Sequence, residues 1–157
     1  MSAFLWNLVL ALLWATVRGR VDGPHLLTGF VLGFLLLALM EPGRFPSAYA
    51  ARAWGLVLLV GRVAWEVLIS SLQVAYDVIT PGIRAQPAIY RYELEARTEA
   101  EITLLALIVS YTPGTLGLEV SEDGRALYVH VMFATGRDAF SQRLRERLEK
   151  PLLRVLR

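Results

Sequence analysis

Charged side chains are distributed unevenly along this chain of 157 residues, and this asymmetry limits the folds open to it. Residues 1–80 hold nine of the 30 charged side chains, and residues 81–157 hold the other 21. The first part instead contains three apolar segments, near residues 3–17, 25–40 and 53–79. Long apolar segments favour helices in a membrane. We therefore predict a transmembrane region over 1–80 and a separate α/β domain over 81–157.

The lengths of the three segments predict different placements. A helix rises about 1.5 Å per residue, and the hydrocarbon core of a bilayer is about 30 Å thick. The first two segments are short for full crossings, so they thin the bilayer, use flanking residues to complete the crossing, or form a shallow hairpin. The third segment is long enough to cross the membrane and emerge into water. The prediction is two short membrane helices followed by a long one.

Charge and cysteine content predict the orientation. The charged second half contains no cysteine, which suits the cytoplasm, and Arg18 and Arg20 between the first two segments also favour that side. We therefore expect a multi-pass protein of the cell membrane, with residues 81–157 in the cytoplasm and the N-terminus outside.

The composition excludes several classes of function. The chain has no cysteine and only two histidines, which lie far apart, so we expect neither a metal centre nor a Cys nucleophile. It contains no glycine-rich phosphate loop, and Ser110 has no candidate base near it in sequence, so we expect no cofactor and no catalytic residue. The net charge of +2 is shared equally by the two halves and does not indicate a nucleic-acid partner.

The third segment carries a stripe of polar side chains. At about 100° per residue, its five members fall within roughly 80° of the helix circumference. They are Arg62, Glu66, Ser70, Gln73 and Asp77. Ionisable groups in a membrane normally face protein or water-filled space. This polar stripe therefore needs shelter that three short segments hardly provide, which predicts membrane partners or self-association.

Three interpretations of the polar stripe stay open. The helix lies at the membrane interface, or the stripe packs against partner helices, or Glu66 lines a route for a cation or proton. Arg62 and Glu66 are four residues apart, a spacing that permits an ion pair on one helix. On the opposite, apolar side we expect Val57, Leu59, Val63, Leu68 and Val74.

The second half predicts a small α/β domain. Alternating residues at 88–96 indicate a strand, and Thr98 with Glu101 has the pattern of a capping box at the start of a helix over 99–111. Strands at 115–120 and 126–133 form a hairpin, and a basic amphipathic helix follows at 138–156. The order β-α-β-β-α predicts a ferredoxin-like fold with an antiparallel sheet.

A sharp turn follows the first helix of this domain. Its sequence is Thr112-Pro113-Gly114-Thr115. Proline ends the helix, glycine permits a positive φ, and the two threonines can bond the freed backbone groups. The turn is therefore interpreted as a structural helix stop.

These motifs together resemble the E subunit of the multisubunit Mrp-type Na+/H+ antiporter family. The resemblance covers most of the chain, although the family commonly has Leu where Tyr111 precedes the turn. The matching positions are Asn7, Trp14, Gly29–Gly33, Glu66, Ser70-Ser71, Pro81, Thr112–Thr115, Val120–Gly124 and Leu127–His130.

The resemblance implies a role in a complex that exchanges Na+ or another monovalent cation for H+. The chain would be a non-catalytic subunit that helps to assemble the membrane complex and lines part of the cation route, with other membrane subunits and the lipid bilayer as partners. Two alternatives remain open. The chain could form a self-assembling ion channel or carrier, or it could be a membrane-anchored regulatory module that binds a ligand.

Overall fold

A computed structural model describes residues 3–40, 48–81 and 85–157 of the chain. The chain divides into two compact units, Met1–Trp54 and Gly55–Arg157. The first unit is helical. The second contains a small sheet with helices.

The first unit contains helices α1, Ala3–Val17, and α2, Gly23–Leu39. The bounds of α1 match the predicted segment, whereas α2 begins two residues before its predicted start at 25. The earlier start has a local cause. Asp22 caps the helix by accepting a hydrogen bond from the backbone N–H of His25 at 3.0 Å, and Pro24 occupies the first turn.

Two glycines let α1 and α2 approach closely. A Cβ atom on Gly29 would come within 2.8 Å of the carbonyl oxygen of Ala11, and one on Gly33 would come within 2.4 Å of Oδ1 of Asn7. Asn7 is fully buried, and its amide donates to the hydroxyl of Tyr49 at 3.1 Å. The Gly29–Gly33 pattern therefore serves helix packing.

Helix α3 extends from Ala48 to Ile79. It begins five residues before the predicted segment because residues 49–52, with their two alanines and an arginine, favour a helix without being strongly apolar. Within the described ranges, α3 is the one helix long and apolar enough to cross a membrane, judged by length and composition alone.

The second unit is built on a three-stranded antiparallel sheet. Its strands are β1, Ala88–Glu93, β2, Thr115–Val120, and β3, Ala126–Val131, in the spatial order β1-β3-β2. Helix α4, Glu99–Tyr111, lies between β1 and β2 in sequence. The predicted capping box is present, with Thr98 accepting from the N–H of Glu101 at 3.2 Å.

The last helical region has three consecutive parts. These are α5, Arg137–Leu144, a π-helical segment, Arg145–Glu149, and α6, Lys150–Leu156. Pro151 lies in the first turn of α6, where its missing N–H is tolerated. The predicted apolar stripe of this region is buried, and its members are Phe140, Leu144, Leu148 and Leu152.

The core of the second unit joins the sheet to three helices. Tyr92 from β1, Leu127 and Val129 from β3, and Leu105 from α4 are almost completely buried. Leu59 of α3 belongs to the same core, with only 5% of its surface exposed. Residues 55–79 of α3 are therefore part of the folded α/β unit.

We predict that Gly29→Ala destabilises the first unit by about 1–3 kcal/mol, because the new methyl group would overlap the backbone of α1. Denaturant titration of the purified protein in detergent measures this loss. Gly61→Ala is the matched control, because the position of its Cβ has no atom within 4 Å apart from its chain neighbours and the backbone of its own helix. Equal stability of the two variants would contradict the close approach.

Candidate functional site

The structure brings most of the polar stripe and the Thr112–Thr115 turn together at one cavity in the second unit. The cavity has a volume of about 90 Å³. Glu66, Ser70 and Gln73 line it from α3, and the whole turn lines it from the end of α4. Arg143 and Arg147 complete it from the C-terminal helical region. Two sets of residues that the sequence suggested separately are thus neighbours.

The side of α3 that faces the domain differs from the predicted polar stripe. Arg62 and Gln73 are exposed, whereas Glu66, Ser70 and Asp77 are half-buried. The prediction that Leu59 and Val63 lie on the opposite side was wrong, since Leu59 is buried in the core and Val63 packs against it. Three residues before Arg62 is nearly one full turn, so Leu59 lies only about 60° from it.

Glu66 is neutralised within the chain. Its carboxylate accepts a hydrogen bond from Nη1 of Arg147 at 2.5 Å, and only 16% of its side chain is exposed. The ion pair expected with Arg62 is therefore replaced by a pair with a residue 81 positions away. Sequence spacing on one helix cannot reveal such a partner. The pair joins α3 to the π-helical segment.

The Thr112–Thr115 turn is held by its own hydrogen bonds. The hydroxyl of Thr112 donates to the carbonyl of Ile108 at 3.0 Å, and the hydroxyl of Thr115 donates to the carbonyl of Val109 at 2.7 Å. Gly114 has a φ of +83°, which favours glycine, and its carbonyl accepts from the N–H of Met132 at 2.8 Å. These bonds satisfy the carbonyls that α4 leaves free and tie the turn to the end of β3.

Two other residues from the sequence analysis lie away from this cavity. Asp77 lines a separate cleft at the end of α3, together with Gln86 and Phe133. Tyr111, which replaces the leucine common before the turn, is 75% exposed. Its side chain therefore contributes little to the packing of the turn.

A buried carboxylate at the start of α6 was not identified from the sequence. Glu149 is fully buried, and its oxygens accept from the hydroxyl of Tyr92 at 2.5 Å and from the N–H groups of Glu95 at 2.8 Å and Ala96 at 3.0 Å. Burial, followed by the hydrogen bond to Glu149, raises the pKa of the Tyr92 phenol above its usual range. In the sequence, Glu149 has the signature of an ordinary charged helix residue.

A second carboxylate, that of Glu101, ties the C-terminus to α4. Arg157 donates to Glu101 from Nε at 3.0 Å, and the N–H groups of Arg97 and Thr98 also donate to it. The hydrogen bond from Arg157, followed by that from the backbone of Arg97, lowers the pKa of Glu101 to about 2. The capping residue thus also anchors the end of α6.

We predict that Tyr92→Phe lowers the free energy of unfolding by about 1.5–3 kcal/mol, because the buried Glu149 carboxylate loses a donor. Denaturant titration of the purified protein checks this value. Tyr128→Phe is a suitable control, because Tyr128 lies on the opposite face of the same sheet. A loss no greater than that of the control would show that the hydrogen bond is unimportant.

We also predict a specific acid dependence of stability. The folded-state pKa of Glu101 lies below its ordinary value of 4.5, so its contribution is complete above about pH 5 and is lost as the pH falls towards 2. The difference in melting temperature between the wild type and Glu101→Gln should therefore shrink over this range. Glu99→Gln, which changes an exposed carboxylate in the same turn, serves as the control. A constant difference would contradict the lowered pKa.

Comparison with known families supplies the context for this site. The profile of a family described as "Na+/H+ ion antiporter subunit" matches residues 7–155. The E subunit of a Na+/H+ antiporter from Alkalihalophilus pseudofirmus is 29% identical over 152 residues, with 96% of each chain covered. The E subunit of a Na+/H+ antiporter from Bacillus subtilis is 28% identical over 153 residues, covering 98% of this chain and 97% of its own.

Two solved structures are also similar. A chain of the Mrp complex from Dietzia sp. DQ12-45-1b is 29% identical with a TM-score of 0.50, and the alignment covers 67% of this chain and 94% of that one. A chain of the membrane-bound sulfane sulfur reductase, an archaeal respiratory membrane complex, has a TM-score of 0.62 over the full length of both chains. At 22% identity, the second likeness concerns the fold alone.

Proposed function

The chain belongs to the Na+/H+ ion antiporter subunit family, and from this premise we propose that its main task is to assemble a multisubunit antiporter in the cell membrane. The complex exchanges Na+ or another monovalent cation for H+, and this subunit performs no catalytic step of its own. The observation that carries the assembly role is the pairing of Glu66 with Arg147. A carboxylate already neutralised by arginine is better suited to holding two elements together than to carrying an ion.

The domain organisation forms part of the proposal. Residues 1–80 form the membrane region, with helices near 3–17, 25–40 and 53–79, and residues 81–157 form a cytoplasmic domain. The strand order β1-β3-β2, with α4 between β1 and β2 in sequence, supports a ferredoxin-like arrangement. The charge of the second half and the lack of cysteine support the cytoplasmic side.

Unsatisfied surfaces support a role within a larger assembly. Leu107 and Tyr111 of α4 are 47% and 75% exposed, and Leu116 and Leu118 of β2 are each nearly half exposed. Soluble monomers rarely leave apolar surface of this extent uncovered. Other membrane subunits are the partners that would cover it.

A contribution to the cation route is the second candidate function. The cavity beside Glu66 is lined by the oxygen-bearing side chains of Ser70, Gln73, Thr112 and Thr115. Oxygen atoms are the preferred ligands of hard monovalent cations. In this version, Glu66 and its neighbours line part of the path, and Asp77 lies near the end of it.

The two functions are separated by expressing variants in a strain that lacks this subunit. We expect Arg147→Glu to reduce the amount of assembled complex severalfold on native gels, because it places two carboxylates together between α3 and the π-helical segment. The double variant Glu66→Arg with Arg147→Glu should restore assembly, because it reverses the pair and keeps the attraction. Cation-dependent proton exchange, normalised to assembled complex, should stay unchanged in all variants.

Glu66→Gln is the decisive variant for the second candidate. Normal assembly with a loss of exchange per complex would favour the cation route over the assembly role. Asp77→Asn tests the proposed end of the same path, in the cleft next to the cavity. Unimpaired assembly in Arg147→Glu would contradict the proposed importance of the ion pair.

A further inference from the structure

The α/β domain covers one side of α3 along nearly all of residues 55–79. Near its start, a Cβ on Gly55 would lie 3.2 Å from the side chain of Val155. In the middle, Glu66 pairs with Arg147, and near the end Asp77 shares a cleft with Gln86. Gly55 and Asp77 are about 33 Å apart along the helix axis, which is close to the thickness of the hydrocarbon core.

This coverage conflicts with a helix that crosses the bilayer. A groove beside the middle of α3 is lined by Gly61 and Trp65 and also by Glu146 and Arg147. Lys150 pairs with Glu146 at the same place. If α3 crossed the membrane, these charges would lie at the depth of the acyl chains, where ionised groups are costly.

The side of α3 that faces away from the domain is apolar. Val57, Trp65, Leu68, Leu72 and Ile79 are each between 50% and 78% exposed. Between residues 55 and 79, the polar groups at the margins of this side are the hydroxyls of Ser71 and Tyr76. The helix therefore has an apolar face and a face covered by the domain, and both extend over residues 55–79. This is the pattern of an interfacial helix.

We propose that residues 55–79 of α3 lie in the plane of the membrane interface, with their apolar face in lipid and the rest of the α/β domain on the water side. The occupant of the apolar face is the bilayer itself. Arg62, Arg143 and Arg147 are exposed and lie along one border of this face, where they meet anionic headgroups. Trp65 and Tyr76 are exposed beside them, and such side chains favour the headgroup level.

This arrangement replaces the crossing that the sequence analysis expected for residues 53–79. It also removes the reason for placing the N-terminus outside, because that placement counted α3 as a crossing. The inference rests on the membrane location of the family and is independent of the assembly role. Its test therefore measures the position of α3 relative to the membrane, and not complex formation or cation exchange.

The test uses the native absence of cysteine, since each single substitution introduces the only thiol of this subunit. The complete complex is kept in right-side-out and inside-out membrane vesicles and treated with an impermeant maleimide, and labelling is read on this subunit. Arg62→Cys should be labelled only in inside-out vesicles, whereas Leu68→Cys should stay unlabelled in both. Protection of both thiols in both preparations would indicate a crossing helix and overturn the proposal.

The two ends of α3 provide a second test. Ala51→Cys and Thr80→Cys should be labelled from the same side of the membrane if the helix lies in the interface. Labelling from opposite sides would overturn the proposal.

A spin label at Leu68→Cys, or at Leu72→Cys one turn later, identifies what covers the apolar face. We expect high accessibility to oxygen and low accessibility to a polar nickel complex, which is the signature of lipid. Low accessibility to both reagents would mean that another protein covers the face, and would contradict lipid as the occupant.

Discussion

The fold of the second unit depends on the packing of the C-terminal helical region against one side of α3. This contact buries Leu59 with Leu148 and Leu152, and it brings Arg147 to Glu66. Ser70, Gln73 and Arg143 line the same cavity as that ion pair. Without it, Glu66 would be a half-buried charge with no partner, which is a costly state for any protein interior.

Two further carboxylates, like that of Glu66, have partners on other elements of the domain. Glu149 gathers the phenol of Tyr92 and two backbone N–H groups beyond β1, and Glu101 gathers Arg157 and the first turn of α4. Each carboxylate joins the C-terminal region to a different part of the domain. The C-terminal helical region therefore holds the domain together through these hydrogen bonds, while its apolar stripe supplies most of the buried surface.

The proposed assembly role and the proposed interfacial position of α3 both rest on the apolar surface that the described chain leaves uncovered. The side of α3 that faces the domain is covered by its own chain. The side that faces away, together with the exposed faces of α4 and β2, is apolar and uncovered. We therefore expect lipid to cover that side of α3 and neighbouring subunits to cover α4 and β2. The Thr112–Thr115 turn contributes by fixing where α4 ends relative to β3.

Much of this architecture was determined by local sequence. The capping box at Thr98 and Glu101, the bounds of α4 and the apolar stripe of the last helical region all depend on residues near one another in the chain. Such features follow from helix periodicity and caps. They were accordingly predictable before the structure was known.

The partners of the charged groups were decided only by the tertiary structure. Glu66 lies 81 positions from Arg147, and Glu149 lies 57 positions from Tyr92. Hydrophobic periodicity marks α3 as amphipathic, yet it cannot distinguish a helix that crosses a bilayer from one covered by its own domain. Hydropathy records how apolar a segment is, whereas its placement depends on what the rest of the chain packs against it.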